Sequence, residues 1–211
     1  MNWLPLDRFR TLIPLSPGLR LEAMQSAHIE SVIAALRSWY PDVAHGSNSG
    51  YLRDGFYHRQ VCLDGAADKH IQVFTIWAGG ELVGVLSPKR EVDSLALYAR
   101  VGAVAPHHAR TGLMSRATAG MEDVAREMGA AFMYALVTLK HPYMAQALEH
   151  GGYRLLGFWP GFDRELVDGV VKRVYQAVYA KLLAPEDRVL RPDPKNLTPG
   201  ARALFELLFS D

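Results

Sequence analysis

The stretch from Leu97 to Gly129, LYARVGAVAPHHARTGLMSRATAGMEDVAREMG, constrains the fold more than any other part of the chain. It opens as an apolar run, turns at Pro106, passes His107, His108 and Arg110, and reaches Gly112. Beyond Gly112, apolar residues recur at Met114, Ala117, Met121, Val124, Ala125 and Met128, which is helical spacing. The segment therefore reads as strand, short basic turn, helix. The first N–H groups of such a helix lack intrachain partners, and its dipole favours negative charge there, so the turn is an anion site of the phosphate-binding kind. Two phosphate patterns are excluded: there is no GxxxxGK[ST] and no GxGxxG.

The other elements follow from periodicity. Residues 1–18 carry three prolines and little periodicity, and read as an arm laid over the domain. Gly18 to Met24 alternates as a half-buried strand does, and Ser26 caps a helix with Ile29, Val32, Ile33 and Leu36 on one face. A loop, AHGSNSG, leads to an aromatic-rich helix from about Tyr51 to Leu63. Ile71 to Leu86 is a hairpin turning at Gly79-Gly80. After the central helix come a β-rich run, FMYALVTL, a short helix ending at Gly151-Gly152, and two strands around a polar loop, DRELVDG. The tail from Pro185 is proline-rich and ends in a helix opened by Thr198-Pro199. The apolar face of that helix, Ala201, Leu204 and Leu208, needs a docking surface on this domain or on a second copy.

The central stretch resembles the acyl-coenzyme A loop of the GNAT N-acyltransferase superfamily, where V-x-P is followed by [QR]-x-x-G-x-[GA] at a helix start. Val104-Ala105-Pro106 fits the first part, and Gly112 stands at the central glycine. Ala109 replaces the usual Gln or Arg, Met114 replaces the usual small residue, and Arg110 supplies a cation one position late. EHGGYRLLGF is similar to the family's C-terminal signature, a helix leading into a Gly-aromatic pair and a strand. The element order agrees as well. The resemblance implies an α+β fold, with a mixed, mostly antiparallel sheet of about seven strands and helices on both faces, over residues 19–184. The arm 1–18 and the tail 185–211 lie outside it.

The resemblance also implies chemistry. Acetyl-CoA, or another acyl-CoA, and an amine bind together, and the amine attacks the thioester. Backbone groups of Ala109, Arg110, Thr111, Gly112, Leu113 and Met114 would hold the pyrophosphate. Main-chain groups at Val104 and Ala105 would pair with the pantetheine arm where the parallel strands splay.

Catalysis requires a base for the ammonium and an acid for the leaving thiolate. Many family members use a Glu on the strand before the loop and a Tyr late in the helix after the fifth strand. Here that strand offers Tyr98 and Arg100, on the alternate-residue face with Val104, and no carboxylate nearer than Asp93. Leu148 stands at the Tyr position. Tyr143, His141 and Tyr98 are the remaining candidates, Tyr143 having helix-start packing as its other role. Trp39, Tyr40, Tyr51, Phe56, Tyr57, Phe158, Trp159 and Phe162 either line an apolar acceptor cleft or close a core.

Composition narrows the alternatives. A chain of 211 residues with 49% hydrophobic and 21% charged residues is long enough for one domain with a proper core. A net charge of +1 argues against nucleic acid and acidic membrane surfaces as partners. The single cysteine, Cys62, permits no intrachain disulfide, suits a reducing compartment and reads as packed. No apolar run reaches the length of a membrane span, so the cytoplasm is the expected compartment. The eight histidines show no metal-ligand spacing. The leading expectation is transfer of an acetyl group to the amine of a small molecule, with homodimerisation through the tail as a candidate assembly. The alternatives are a non-catalytic acyl-CoA-binding module, and a longer-chain acyltransferase using acyl carrier protein. The carrier-protein option requires a basic docking surface, for which Lys89, Arg90 and Arg110 are the local candidates.

Overall fold

A computed structural model of the chain describes residues 1–109 and 111–209. Arg110 therefore lies outside the described residues, and so does the cation expected from it. Seven strands form one sheet in the order β1-β2-β3-β4-β5-β7-β6: β1 (Leu19–Ala23), β2 (Phe74–Ala78), β3 (Glu81–Glu91), β4 (Ala96–Val104), β5 (Phe132–Thr138), β6 (Arg154–Val167) and β7 (Val170–Leu182). Every pairing is antiparallel except β4 with β5. No helix among the described residues is long and apolar enough to cross a membrane.

Helices cover both faces. On one side lie α1 (Leu6–Leu12), α4 (Leu113–Glu127) and α5 (Tyr143–His150), with Phe9, Ile13, Leu113, Met121, Val124 and Leu148 packed on Leu97 and Met133 of the sheet. On the other lie α2 (Ile29–Trp39) and α3 (Asp54–Gln60), where Val32, Leu36, Tyr51 and Tyr57 meet Val85 and Ala103. Each large side chain so buried contributes about 1.5–3 kcal/mol relative to exposure. The helical spacing of apolar residues on α4 and the continuously buried run Leu82–Pro88 of β3 fit a sheet covered on both faces.

One irregularity positions the site. Ser87 pairs with Val101, but the next residue, Pro88, pairs with Ala99, leaving Arg100 as an extra residue in β4. Proline has no N–H to give to the ladder, and a bulge is where a strand tolerates it. The bulge changes which residues share a face. Tyr98 stacks on Tyr134, and Arg100 lies over Tyr51, on the α2–α3 side. Val104 packs with the α4 core instead, and Met114 and Met144 crowd Gly102. The simple alternation that places Tyr98, Arg100 and Val104 together therefore fails, because it takes no account of Pro88.

Other departures have equally local causes. The N-terminal arm is not irregular throughout: it contains α1, and Trp3, Phe9 and Ile13 are buried. Gly120 of α4 is the reason it can seat so closely, since a Cβ there would lie 2.5 Å from the Leu12 carbonyl oxygen. Ser26 does not cap α2; its N–H and hydroxyl donate to Asp64, at 2.9 and 2.6 Å, and a 3-10 turn over Ser26–His28 precedes the helix. The polar segment DRELVDG is not a loop. β6 runs through it to Val167, and only Asp168-Gly169, both at positive φ, make the turn. β5 pairs with β7 no further than Gln176, so residues 170–175 of β7 pair only with β6 and the two strands project as a ribbon. In the tail, Thr198 accepts from Ala201 N–H at the start of α6 (Pro199–Phe209). No residue of α6 is buried.

Candidate active site

The parallel pair β4–β5 is joined only over Ala96–Ala99 and Phe132–Ala135. Beyond that point β4 continues against β3 to Val104, while β5 continues against β7 to Thr138. The two strands therefore separate into a V whose inner edges carry backbone groups with no ladder partner across the gap. Extended backbone left unpaired in this way is what a strand-like amide ligand would pair with.

The chain leaving β4 builds the second part of the site. Ala105 donates its N–H to the Val83 carbonyl, a 3-10 turn spans Pro106–His108, and the Thr111 hydroxyl donates to the His108 carbonyl. Gly112 then takes φ +75° and serves as N-cap of α4. The first backbone bond back to this cap comes from Arg116 N–H to Gly112 O, so the N–H groups of Leu113, Met114 and Ser115 precede the helical ladder. Arg116 also folds its side chain back over the helix start: Nη2 donates to the Thr111 carbonyl at 2.9 Å, and the guanidinium lies about 3.7 Å from where a Gly112 side chain would begin. Sequence reasoning missed Arg116. The signal was its place four residues after Gly112, one turn along the same face.

The α2–α3 side supplies the other wall. The Tyr40 hydroxyl reaches β4, donating to Val104 O at 3.3 Å and facing Val104 N at 3.5 Å. Asn48 bridges to the bulge: its Nδ2 donates to the Arg100 carbonyl, and Arg100 Nη2 donates to its Oδ1 at 3.2 Å. Ser47 donates through its N–H and hydroxyl to Asp163 of β6, which also accepts from Gln176 Nε2 at 2.7 Å. Lys140 pairs with Asp42 and, at 3.5 Å, with the buried Glu165, which accepts from the Thr138 hydroxyl. These contacts tie the loop after α2 to the projecting ribbon around the open end of the V.

No family model matches the sequence, and no curated protein matches it. Solved structures do match its shape. The ribosomal-protein-S5-alanine acetyltransferase from Vibrio fischeri superposes with a TM-score of 0.61 at 10% identity, covering 84% of this chain and 98% of that one. A point mutant of the spermidine N-acetyltransferase SpeG from Vibrio cholerae gives 0.62 at 13% identity, covering 79% and 95%. An acetyltransferase from Salmonella typhimurium that modifies the N-terminal serine of ribosomal protein L7/L12 gives 0.59 at 15% identity, covering 81% and 98%. The chain has the GNAT fold.

Within the GNAT fold, the candidate residues separate clearly. Val104, Ala105 and Ala109 lie at the end of β4 and the 3-10 turn that follows it, and Thr111, Gly112, Leu113 and Met114 lie at the start of α4. Tyr143 and His141 sit together at the start of α5, ring centroids 5.0 Å apart, and Tyr143 is 61% exposed. Tyr98 is elsewhere, stacked on Tyr134 at 4.6 Å at the last joined rungs of the V. Burial pushes its phenol up to about 12, with Arg100 opposing and Asp163 and Glu91 reinforcing the rise. Tyr98 is therefore a weaker acid than an ordinary tyrosine. Leu148, at the position of the missing tyrosine, is buried in the core.

The aromatics divide between the two readings. Tyr51 and Tyr57 are fully buried, closing the α2–α3 core, while Phe158, Trp159 and Phe162 are exposed on β6. His107 pairs with Glu81 at the surface and stacks edge-on with His108. The expected basic docking cluster does not form among the described residues. Lys89 is paired with Glu91, and Arg90 is buried beside Trp3, donating to the carbonyls of Met1, Ala67 and Asp68. Cys62 is buried, and burial raises its thiol pKa, so it makes a poor nucleophile.

Proposed function

We propose that this protein is an acyl-CoA-dependent N-acetyltransferase acting on the amine of a small molecule. One observation carries the reading: the V between β4 and β5 leads directly to a helix start with a positive-φ glycine, N–H groups ahead of the helical ladder, and the Arg116 guanidinium folded over them. The unpaired edges of the V suit the two amides of a pantetheine arm. The start of α4, with Arg116, suits a pyrophosphate. One of the matching structures is a complex of the ribosomal L7/L12 α-N-protein acetyltransferase with coenzyme A, at 18% identity and a TM-score of 0.59.

The reaction is direct transfer. The amine nitrogen attacks the thioester carbonyl carbon, a C–N bond forms, the C–S bond breaks, and the sulfur leaves as a thiolate that takes up a proton. The substrate amine loses a proton to water. Holding both reactants against the same gap supplies much of the acceleration. Tyr143, beside His141, is the proposed donor to the departing sulfur, and Tyr98, at the last joined rungs of the V, is the second candidate. When the V is filled, Tyr40 has to release the Val104 main chain, making it the expected gate.

The test is thiol release from acetyl-CoA in the presence of a panel of amines. Amine-dependent release, with the acetylated amine identified by mass spectrometry, supports the reading. Acetyl-CoA binding with no transfer to any amine favours the non-catalytic module instead.

A further inference from the structure

Arg100 is the side chain that the proposed chemistry does not use. It is the extra residue of the β4 bulge, at the point where the V opens. Its guanidinium lies 5.4 Å from the centroid of the Tyr51 ring. Among the described residues only its Nη2 has a hydrogen bond, to Asn48 Oδ1, and Nε is fully buried without a partner. Among the same residues it makes no ion pair. Lys140 and Asp163, by contrast, are each fully engaged. A half-buried guanidinium with one neutral acceptor is an incomplete site, because among the described residues no anion pairs with its charge.

The surroundings fix which anion fits. Asn48 and the Tyr51 ring hold the guanidinium, and the planar set of donors that a guanidinium carries matches a carboxylate. A polycationic acceptor would meet a like charge at this point.

Building on the acetyltransferase reading, we propose that Arg100 binds the carboxylate of the acceptor, so that the substrate is an amino acid or a similar amine bearing a nearby carboxylate. Arg100 then determines specificity, and the amine is presented to the thioester at the open end of the V.

The experiment compares matched pairs: L-phenylalanine with phenethylamine, L-methionine with 3-(methylthio)propylamine, and β-alanine with ethylamine, with spermidine as a polycation control. Thiol release from acetyl-CoA is measured for wild type, Arg100→Gln and Arg100→Lys, and acetyl-CoA affinity is measured for all three. The expected result is kcat/KM at least tenfold higher for the carboxylate member of a pair. That ratio falls toward one in Arg100→Gln, is partly kept in Arg100→Lys, and acetyl-CoA affinity does not change. Equal or faster transfer to the amines without carboxylates, a preference that survives Arg100→Gln, or no transfer to any of these amines while acetyl-CoA binds would overturn the proposal. Failure of acetyl-CoA to bind wild type would overturn the acetyltransferase reading itself.

Discussion

Arg116→Ala isolates the electrostatic part of the proposed coenzyme A site. In the free protein Arg116 donates to the Thr111 carbonyl and lies over Gly112, at the start of α4. A hydrogen bond from a charged donor is worth about 1.5–3 kcal/mol when well sheltered. Arg116 is exposed, so solvent screening lowers the expected share to about 1–2 kcal/mol. That corresponds to roughly 5- to 30-fold weaker binding of coenzyme A. The loss should shrink as salt is raised, because the Debye length falls from about 10 Å at 0.1 M to about 3 Å at 1 M. Pantetheine, which has no pyrophosphate, serves as the internal control. Calorimetry on both ligands at two salt concentrations is the assay. Equal losses for coenzyme A and pantetheine, or no loss for either, would refute the assignment of Arg116 to the pyrophosphate.

Gly112→Asp should abolish coenzyme A binding by setting a carboxylate against the pyrophosphate, whereas Gly112→Ala should retain binding and lose about 1–2 kcal/mol of stability to the φ of +75°. Calorimetry and thermal melts of the two variants distinguish charge from strain. Gly120→Ala should cost about 3 kcal/mol in urea unfolding, because its Cβ would collide with the backbone of Leu12 and Ile13; a smaller effect would mean that α1 is not seated on α4. Glu122 is ionised more easily than an ordinary glutamate: burial opposes its charge, but hydrogen bonds from Lys181 and Arg126 outweigh that. Its contribution to stability is present above its unfolded value of 4.5 and is lost as pH falls through the lower folded value. Unfolding followed from pH 6 to pH 3 should therefore show a shallower acid decline in Glu122→Gln than in wild type.

How much the sequence discloses depends on how local the cause is. The turn from Val104 to Gly112 and the helix after it are legible, because a glycine before a 3.6-residue repeat states the geometry directly. The hairpin is legible because Gly79-Gly80 separates two strand-like runs. The β4 bulge is not, since Pro88 acts on a neighbouring strand and its effect appears only at Arg100. DRELVDG reads as a loop because it is polar, yet two of its carboxylates find partners outside the segment: Asp163 and Glu165 are satisfied by Ser47, Gln176, Thr138 and Lys140. The short arm helix leaves no trace in the pattern because seven residues are too few to show a period, and its stability comes from Phe9 and Ile13 packing on the core. The divided fate of the aromatics, Tyr51 buried and Trp159 exposed, likewise depends on pairing that no local pattern encodes.

The most direct test of the central claim is calorimetric titration of the purified protein with acetyl-CoA, coenzyme A and a long-chain acyl-CoA. The account predicts micromolar, one-to-one binding of acetyl-CoA and coenzyme A to the V and the start of α4, and weaker binding of the long-chain ester. Absence of binding by all three would contradict it, leaving a GNAT-shaped scaffold whose open strands serve another ligand.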